Sequence, residues 1–100
     1  MIVVNATVKT SRQDITALQE AIATMEAASR AEAGCRDYTF SVELNNPDVL
    51  RITEKWDNVE ALQAHFATPH MAAFQAALNT MPSPSMDLKF YDVVEIQPFQ

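Results

Sequence analysis

Five polar or amphipathic side chains occupy positions that the apolar pattern assigns to a protein core. They are Asn5, Glu54, Trp56, His65 and His70. A chain of 100 residues has little core to spare for groups that titrate or need hydrogen-bond partners. Buried polar groups cost free energy unless they are paired. These side chains therefore either pair with one another or line a pocket, and the second possibility gives a functional hypothesis.

Each of the five has a chemical role that it could fill in a pocket. His65 titrates near neutral pH and is the candidate proton acceptor. Glu54 is either a pocket carboxylate or the partner of a histidine, and burial without a partner would raise its pKa. Trp56 could form a wall against a flat aromatic ligand. Asn5 could hold a ligand oxygen, and His70 could donate to a carboxylate or to substrate. The structural alternatives are a satisfied core histidine, simple packing of the indole and an exposed strand position for Asn5.

The spacing of the two histidines does not predict a metal site. His65 and His70 are separated by Pro69 and a five-residue step, which is not the i, i+4 spacing of a zinc-binding pair on one helix. Glu54 could add a third ligand, but a structural zinc site favours more nitrogen or sulfur. Cys35 has no base beside it in sequence and is interpreted as a small packing residue.

Composition and charge exclude several classes of function. The chain is 48% hydrophobic and 20% charged, which is typical of a globular protein, and its length predicts one domain over 1–100. A net charge of -6 argues against nucleic acid and anionic membranes as partners. The N-terminus lacks a signal-peptide pattern and there is one cysteine, so we expect a cytoplasmic protein. A single glycine, Gly34, excludes glycine-rich phosphate loops.

The elements that must position these residues follow from apolar periodicity. Alternating apolar residues predict strands over 2–9, 38–44, 49–56 and 86–96. Apolar residues at helical spacing predict helices over 12–32 and 57–66 and from residue 69 onward. The order strand, helix, strand, strand, helix pair, strand is the split βαβ arrangement of a ferredoxin-like α+β domain. We therefore expect a four-stranded antiparallel sheet with helices on one face.

Local signals predict where these elements begin and end. Ser11 should cap the first helix, and Asp57 with Glu60 should form a capping box for the second. Thr68 should cap the last helix, with Pro69 at its first position. Gly34 should end the first helix in a left-handed conformation. Turns or loops are predicted over 45–48 and 81–85.

The predicted architecture leaves one face of the sheet without helices. We expect that face to be partly apolar and to be covered by a second copy of the chain. The sequence therefore predicts a homodimer.

Short segments along essentially the whole chain resemble the antibiotic biosynthesis monooxygenase family. Their order and spacing carry the resemblance: Ile2-Val3-Val4, Ser29–Cys35, Tyr38, Glu54-Lys55-Trp56, Ala61–Phe66, Thr68-Pro69-His70 and Phe74. The resemblance implies a homodimeric α+β barrel and an oxygenase without metal, flavin or haem. It implies oxidation of a small hydroxylated aromatic or quinol-type substrate by dioxygen. Under it, His65 is the candidate base, Asn5 an oxygen-holding residue and Trp56 a stacking wall. Its substrate-binding residues would be Glu54, His70, Phe66, Tyr38 and Phe74. Of these, Glu54 or His70 would orient other groups or relay protons.

The family that the chain resembles also includes members with other activities. Haem-degrading members also carry an asparagine at the position of Asn5. They carry a tryptophan where this chain has His65, and a ligand histidine where this chain has Gln75. An isomerase of a phosphorylated autoinducer-2 signal resembles His65 with Thr68-Pro69-His70, although a phosphorylated ligand would favour several arginines or lysines in the pocket. A non-catalytic dimeric module that binds a small molecule is the third alternative.

Overall fold

The computed structural model describes residues 1–82 and 84–99, and it has the predicted order of elements. In chain order these are β1 (Ile2–Lys9), α1 (Arg12–Ala17), α2 (Gln19–Arg30), β2 (Cys35–Glu43), β3 (Asn46–Trp56), α3 (Val59–Phe66), α4 (Pro69–Leu78) and β4 (Ser85–Asp92). The loop predicted over 81–85 includes Ser83, which lies outside the described residues. No helix in the described part of the chain combines the length and apolar character needed to cross a membrane.

The four strands form one antiparallel sheet in the order β2-β3-β1-β4. This order confirms the ferredoxin-like fold. Along β1, alternate side chains from Ile2 to Val8 are buried beneath the helices, as the pleat of a strand requires. Val4 pairs with Glu54, so Glu54 shares this helix-covered face. Asn5 pairs with Thr53 and projects from the opposite face.

The first predicted helix is two helices that are separated at Leu18. The Leu18 N–H donates to the carbonyls of Asp14 at 3.0 Å and Ile15 at 3.1 Å, a mixture of α-type and 3₁₀-type bonding. Helix α2 ends at Arg30. The prediction of one helix over 12–32 is therefore wrong about its continuity at Leu18 and about its last residue.

Two of the three predicted caps are confirmed. The Ser11 side chain accepts from the Asp14 N–H, and the Thr68 side chain accepts from the Met71 N–H. The cap of α3 is Asn58, whose side chain accepts from the Ala61 N–H at 2.9 Å. Asp57, the predicted cap, pairs instead with Arg36.

The strand boundaries differ from the prediction at both ends of the sheet. The β2–β3 turn consists of Leu44 and Asn45, so β3 begins at Asn46 and Leu44 is 95% exposed. Strand β4 ends at Asp92, because its partner β1 ends opposite it at Ile2. The predicted strand over 86–96 therefore stops early.

The face of the sheet opposite the helices is mostly polar, with Val3 and Tyr91 among the apolar residues on it, so it offers less apolar surface than the dimer prediction assumed. On it Arg51 pairs with Glu43 at 2.7 Å, and Lys89 pairs with Asp87 at 3.0 Å. Three exposed apolar residues instead form a row on the helix side of β4, which the helices leave uncovered. Their exposed fractions are 45% for Met86, 42% for Leu88 and 46% for Phe90.

Gly34 lies in the turn between α2 and β2, where its conformation and its surroundings both require glycine. Its φ is +82°, and a Cβ added to it would lie 2.6 Å from Cβ of Ala61. The carbonyl of Gly34 accepts from the Asp57 N–H at 2.8 Å. This turn therefore packs against the start of α3.

Gly34→Ala should lower the free energy of unfolding by about 1–3 kcal/mol, because it introduces both a strained φ and a close contact. Urea unfolding at fixed pH measures the change. In Gly34→Ala/Ala61→Gly, the contact is relieved but the strain in φ remains, so the double variant should be more stable than the sum of the two single changes predicts. Purely additive effects would show that Ala61 does not limit this position.

Candidate active site

A small cavity of about 50 Å³ lies between the helix-covered face of the sheet and helices α3 and α4. Its lining is mostly apolar and aromatic: Ala6, Tyr38, Ile52, Glu54, Phe66, Met71, Phe74, Gln75, Leu78, Met86 and Leu88. Neither arginine nor lysine occurs among these lining residues. The cavity thus contains one carboxylate and one phenol in otherwise largely apolar surroundings.

Glu54 supplies the carboxylate from the middle of the sheet. Its side chain is 7% exposed, and its Oε1 accepts a hydrogen bond from the indole Nε1 of Trp56 at 2.9 Å. Desolvation by burial raises the pKa of Glu54, while the indole hydrogen bond and the nearby His65 lower it less. A carboxyl group with a raised pKa on a cavity wall is suited to exchanging protons with a ligand.

Trp56 is not a wall of this cavity, in contrast to its predicted stacking role. It is fully buried, and its ring centroid lies 4.7 Å from that of His65. Tyr38 packs against both rings, at 6.3 Å from Trp56 and 5.3 Å from His65. Burial, and then the charge of Glu54, raise the pKa of the Tyr38 hydroxyl. Trp56 therefore belongs to an aromatic layer behind the cavity and orients Glu54.

Glu32, which was not among the predicted site residues, joins the two histidines. Its Oε2 lies 2.7 Å from Nδ1 of His65 and 2.7 Å from Nε2 of His70. The side chain of Glu32 is 13% exposed, that of His65 is 1% exposed and that of His70 is 19% exposed. The available signal was an acidic residue placed between the end of a helix and the only glycine, inside a segment that carried the family resemblance.

His70 faces a second, larger recess on the outside of the helices. This groove of about 540 Å³ runs between α2 and α4, and its lining includes Glu20, Thr24, Ala73 and Phe74. The groove is open, so its volume alone does not mark it as a ligand site. It does give the cluster of Glu32, His65 and His70, called here the polar cluster, one side that faces solvent, at His70.

The remaining predicted site residues separate into two groups. Phe66 and Phe74 line the cavity, as expected for substrate-binding residues, and the ring of Phe66 stacks on Phe90 at 6.3 Å. Asn5 does not join them, since the alternation of β1 places it on the polar face of the sheet. Asn5 therefore does not share a pocket with Glu54 and His65, a question that the sequence alone left open.

The chain has the architecture of a ferredoxin-like α+β domain with a small cavity between its sheet and its helices. Residues 1–77 match the model of the family described as antibiotic biosynthesis monooxygenase, and the chain belongs to this family. It is similar to the Escherichia coli protein named probable quinol monooxygenase YgiN, with 32% identity over 56 residues, 48% of this chain and 54% of that protein. It is also similar to the uncharacterized Synechocystis protein sll1783, with 30% identity over 69 residues, 69% of this chain and 47% of that protein. The chain spans about half the length of these curated relatives.

Solved structures agree with the fold over nearly the whole chain. A Deinococcus radiodurans protein provisionally named an antibiotic biosynthesis monooxygenase has a TM-score of 0.89 and 27% identity, covering 100% of this chain and 99% of that chain. A conserved Bacteroides thetaiotaomicron protein of unknown function has a TM-score of 0.81 and 29% identity, covering 90% of this chain and 94% of that chain. The ferredoxin-like fold is thus shared with this family.

The raised pKa of Glu54 makes a prediction about stability. A carboxyl group whose pKa is higher in the folded protein contributes its full stabilisation below the unfolded value, about 4.5 here, and loses it as pH rises through the folded value. The free energy of unfolding of the wild type, minus that of Glu54→Gln, should therefore fall as pH rises above this value. Chemical denaturation over a pH series measures the difference. Glu95→Gln, a change in the exposed tail, is the control, and a difference for Glu54→Gln that rises with pH would contradict burial as the main cause of the shift.

Proposed function

We propose that the chain is a cofactor-independent monooxygenase that oxidises a small hydroxylated aromatic or quinol-type substrate with dioxygen. The observation that carries this proposal is the buried Glu54 carboxylate on the wall of a cavity that is otherwise largely apolar and aromatic. Membership of the monooxygenase family and similarity to a probable quinol monooxygenase support the class of reaction.

In the proposed mechanism, Glu54 removes a proton from a substrate hydroxyl group. The resulting anion is electron-rich and gives electrons to dioxygen directly, so the protein supplies a base, a shaped apolar site and fixed dipoles. For a hydroquinone, one oxygen atom enters the ring and the other leaves as water, giving a hydroxyquinone. The substrate supplies all four electrons, so the reaction balances without another reductant.

This mechanism changes the roles expected from the sequence. His65 was the candidate base, but its ring is 1% exposed and packs behind the cavity against Trp56. Glu54 lies on the lining itself and can reach a substrate hydroxyl. We therefore assign the first proton transfer to Glu54.

The substrate must extend beyond the enclosed cavity. A volume of about 50 Å³ is well below the roughly 300 Å³ of a typical ligand pocket. The cavity borders the half-exposed side chains of Met86 and Leu88 on β4, with Phe66 at its edge. A flat aromatic ring placed here would cover exposed apolar surface and keep its hydroxyl group towards Glu54.

The charges of the site favour this substrate over a phosphorylated one. The cavity lining contains no cationic residue, whereas a phosphate group is usually recognised by arginine or lysine. Arg36 is paired with Asp57, and Arg51 with Glu43 on the polar face of the sheet. The isomerase alternative therefore has less support from the geometry.

We further propose that the protein is a homodimer in which a second copy covers β4. Met86, Leu88 and Phe90 form an apolar row with exposed fractions of 42–46%, and Val94 and Ile96 beyond the strand are 86% and 78% exposed. A row of this kind at the edge of a sheet is a usual place for association. The partner would then close the open side of the substrate site.

Replacing Leu88 and Phe90 together by aspartate should convert the dimer into a folded monomer, because charges would then occupy the interface. Sedimentation velocity measures the mass, and circular dichroism checks the fold. Val59→Asp, at a position that is 50% exposed on α3, is the control and should remain dimeric. A monomeric wild-type protein at micromolar concentration would refute the proposed dimer.

Oxygen consumption tests the proposed activity. The wild type should consume oxygen with at least one member of a panel of hydroquinones, naphthoquinols and anthrones, without added cofactor. Glu54→Gln should lower kcat by about 10²–10⁴-fold, the usual contribution of general acid–base catalysis, because the amide cannot accept the proton. Glu60→Gln, an exposed change on α3, should retain the wild-type rate.

Two results would contradict the proposal. Wild-type rates in Glu54→Gln would remove Glu54 from the chemistry. Binding of these aromatics without oxygen consumption above the autoxidation blank would favour the non-catalytic binding module.

A further inference from the structure

A single oxygen of Glu32 receives hydrogen bonds from two imidazole rings. It lies 2.7 Å from both Nδ1 of His65 and Nε2 of His70. A carboxylate oxygen can only accept, so both of these nitrogens carry a proton. In a neutral imidazole the other nitrogen is then unprotonated, so Nε2 of His65 presents a lone pair.

That lone pair has no hydrogen-bond partner within residues 1–82 and 84–99, although the atom is buried. Buried polar atoms are nearly always paired, and an exception calls for an explanation. The ring lies against Trp56, whose indole donates to Glu54, so His65 belongs to the same buried layer that orients the Glu54 carboxyl group. Nε2 is therefore a free acceptor in the layer behind the group that the proposed mechanism protonates.

We infer that Glu32 is a positioning residue that fixes His65 with a basic Nε2, so that His65 receives the proton that Glu54 removes from the substrate. This inference rests on the proposed function. The O–H bond of Glu54 breaks, an N–H bond forms at Nε2, and the resulting imidazolium is paired with the Glu32 carboxylate. Glu54 and His65 are not hydrogen-bonded directly, and the His65 ring does not line the cavity, so a bridging water carries the proton between them.

His70 contributes by holding Glu32 from the solvent side. Its Nε2–H donates to the same carboxylate oxygen, and its ring lies on the groove between α2 and α4. Besides Glu54, the other titratable groups near the cluster are Tyr38 on β2 and Cys35 at the start of β2, and burial raises the pKa of both. Glu32 is thus the group that faces both imidazole rings and can pair with a charged His65.

A metal ion is the competing explanation of this cluster. The three ligand-type atoms of Glu32, His65 and His70 lie within 4.8 Å of one another. A histidine that binds a metal usually donates its second ring N–H to a partner. Metal at Nδ1 of His65 would leave a buried Nε2–H without an acceptor, whereas hydrogen bonding to Glu32 leaves only a lone pair there. The hydrogen-bonded arrangement is therefore favoured.

The tautomer can be measured directly by ¹⁵N NMR of histidine-labelled protein. The chain has two histidines, and His70→Gln assigns their signals while keeping an N–H donor for Glu32. The neutral His65 ring should show a protonated Nδ1 and an unprotonated Nε2. A wild-type His65 with its proton on Nε2 would overturn the inference, and so would a Co²⁺ absorption band that appears on titration and is lost in Glu32→Gln.

Kinetics test the use of this tautomer in the reaction. Glu32→Gln should lower kcat by about tenfold or more with little change in KM, because the substrate contacts remain and proton transfer is impaired. Glu60→Gln should leave both constants unchanged. An unchanged kcat in Glu32→Gln would overturn the positioning role. If the wild type consumes no oxygen, the proposed function fails together with this use of His65, while the NMR result separately decides whether Glu32 sets the tautomer.

Discussion

The burial of one carboxylate, that of Glu54, is the constraint on which the candidate site depends. Desolvation of a carboxyl group is costly in a small domain, and a single indole hydrogen bond offsets only part of that cost. The indole can make this bond because Trp56 is two residues along the same strand, on the same face of the sheet. Trp56 in turn packs against His65 and Tyr38, so the orientation of the carboxylate depends on the whole aromatic layer.

The polar cluster depends on a backbone feature that involves no titratable group. Gly34 adopts a positive φ and approaches Ala61 more closely than a Cβ would allow. This approach brings the segment after α2 against α3, and Glu32 lies in that segment two residues before the glycine. Its carboxylate can therefore reach His65 near the end of α3 and His70 in the first turn of α4. A turn that packs closely against α3 thus also places a carboxylate beside a buried histidine.

The sequence predicted the sheet better than the site because strand alternation is a local property. Alternation along β3 correctly placed Glu54 on the buried face. The same alternation places Asn5 on the polar face, but its partner residues depend on the register between β1 and β3, which a single sequence leaves open. The contacts between Glu32 and the histidines span 33 and 38 residues, so no spacing rule could predict them. The apolar residues of β4 were recognised, whereas their lack of a helical cover is a property of the assembled layers.

The small enclosed volume and the uncovered row on β4 have one common cause. The helices of a split βαβ fold pack over β1, β2 and β3, so the space beside β4 stays open and the cavity above Glu54 is only partly closed. A ligand placed there would exchange water for the apolar side chains of Met86 and Leu88, and a second chain could seal the same side. Exclusion of water matters for the proposed chemistry, because the electrostatic interactions that the site makes with a buried base and with a developing anion are stronger in an apolar medium. Association and catalysis would then be coupled through one strand, with covering β4 completing the site that Glu54 begins.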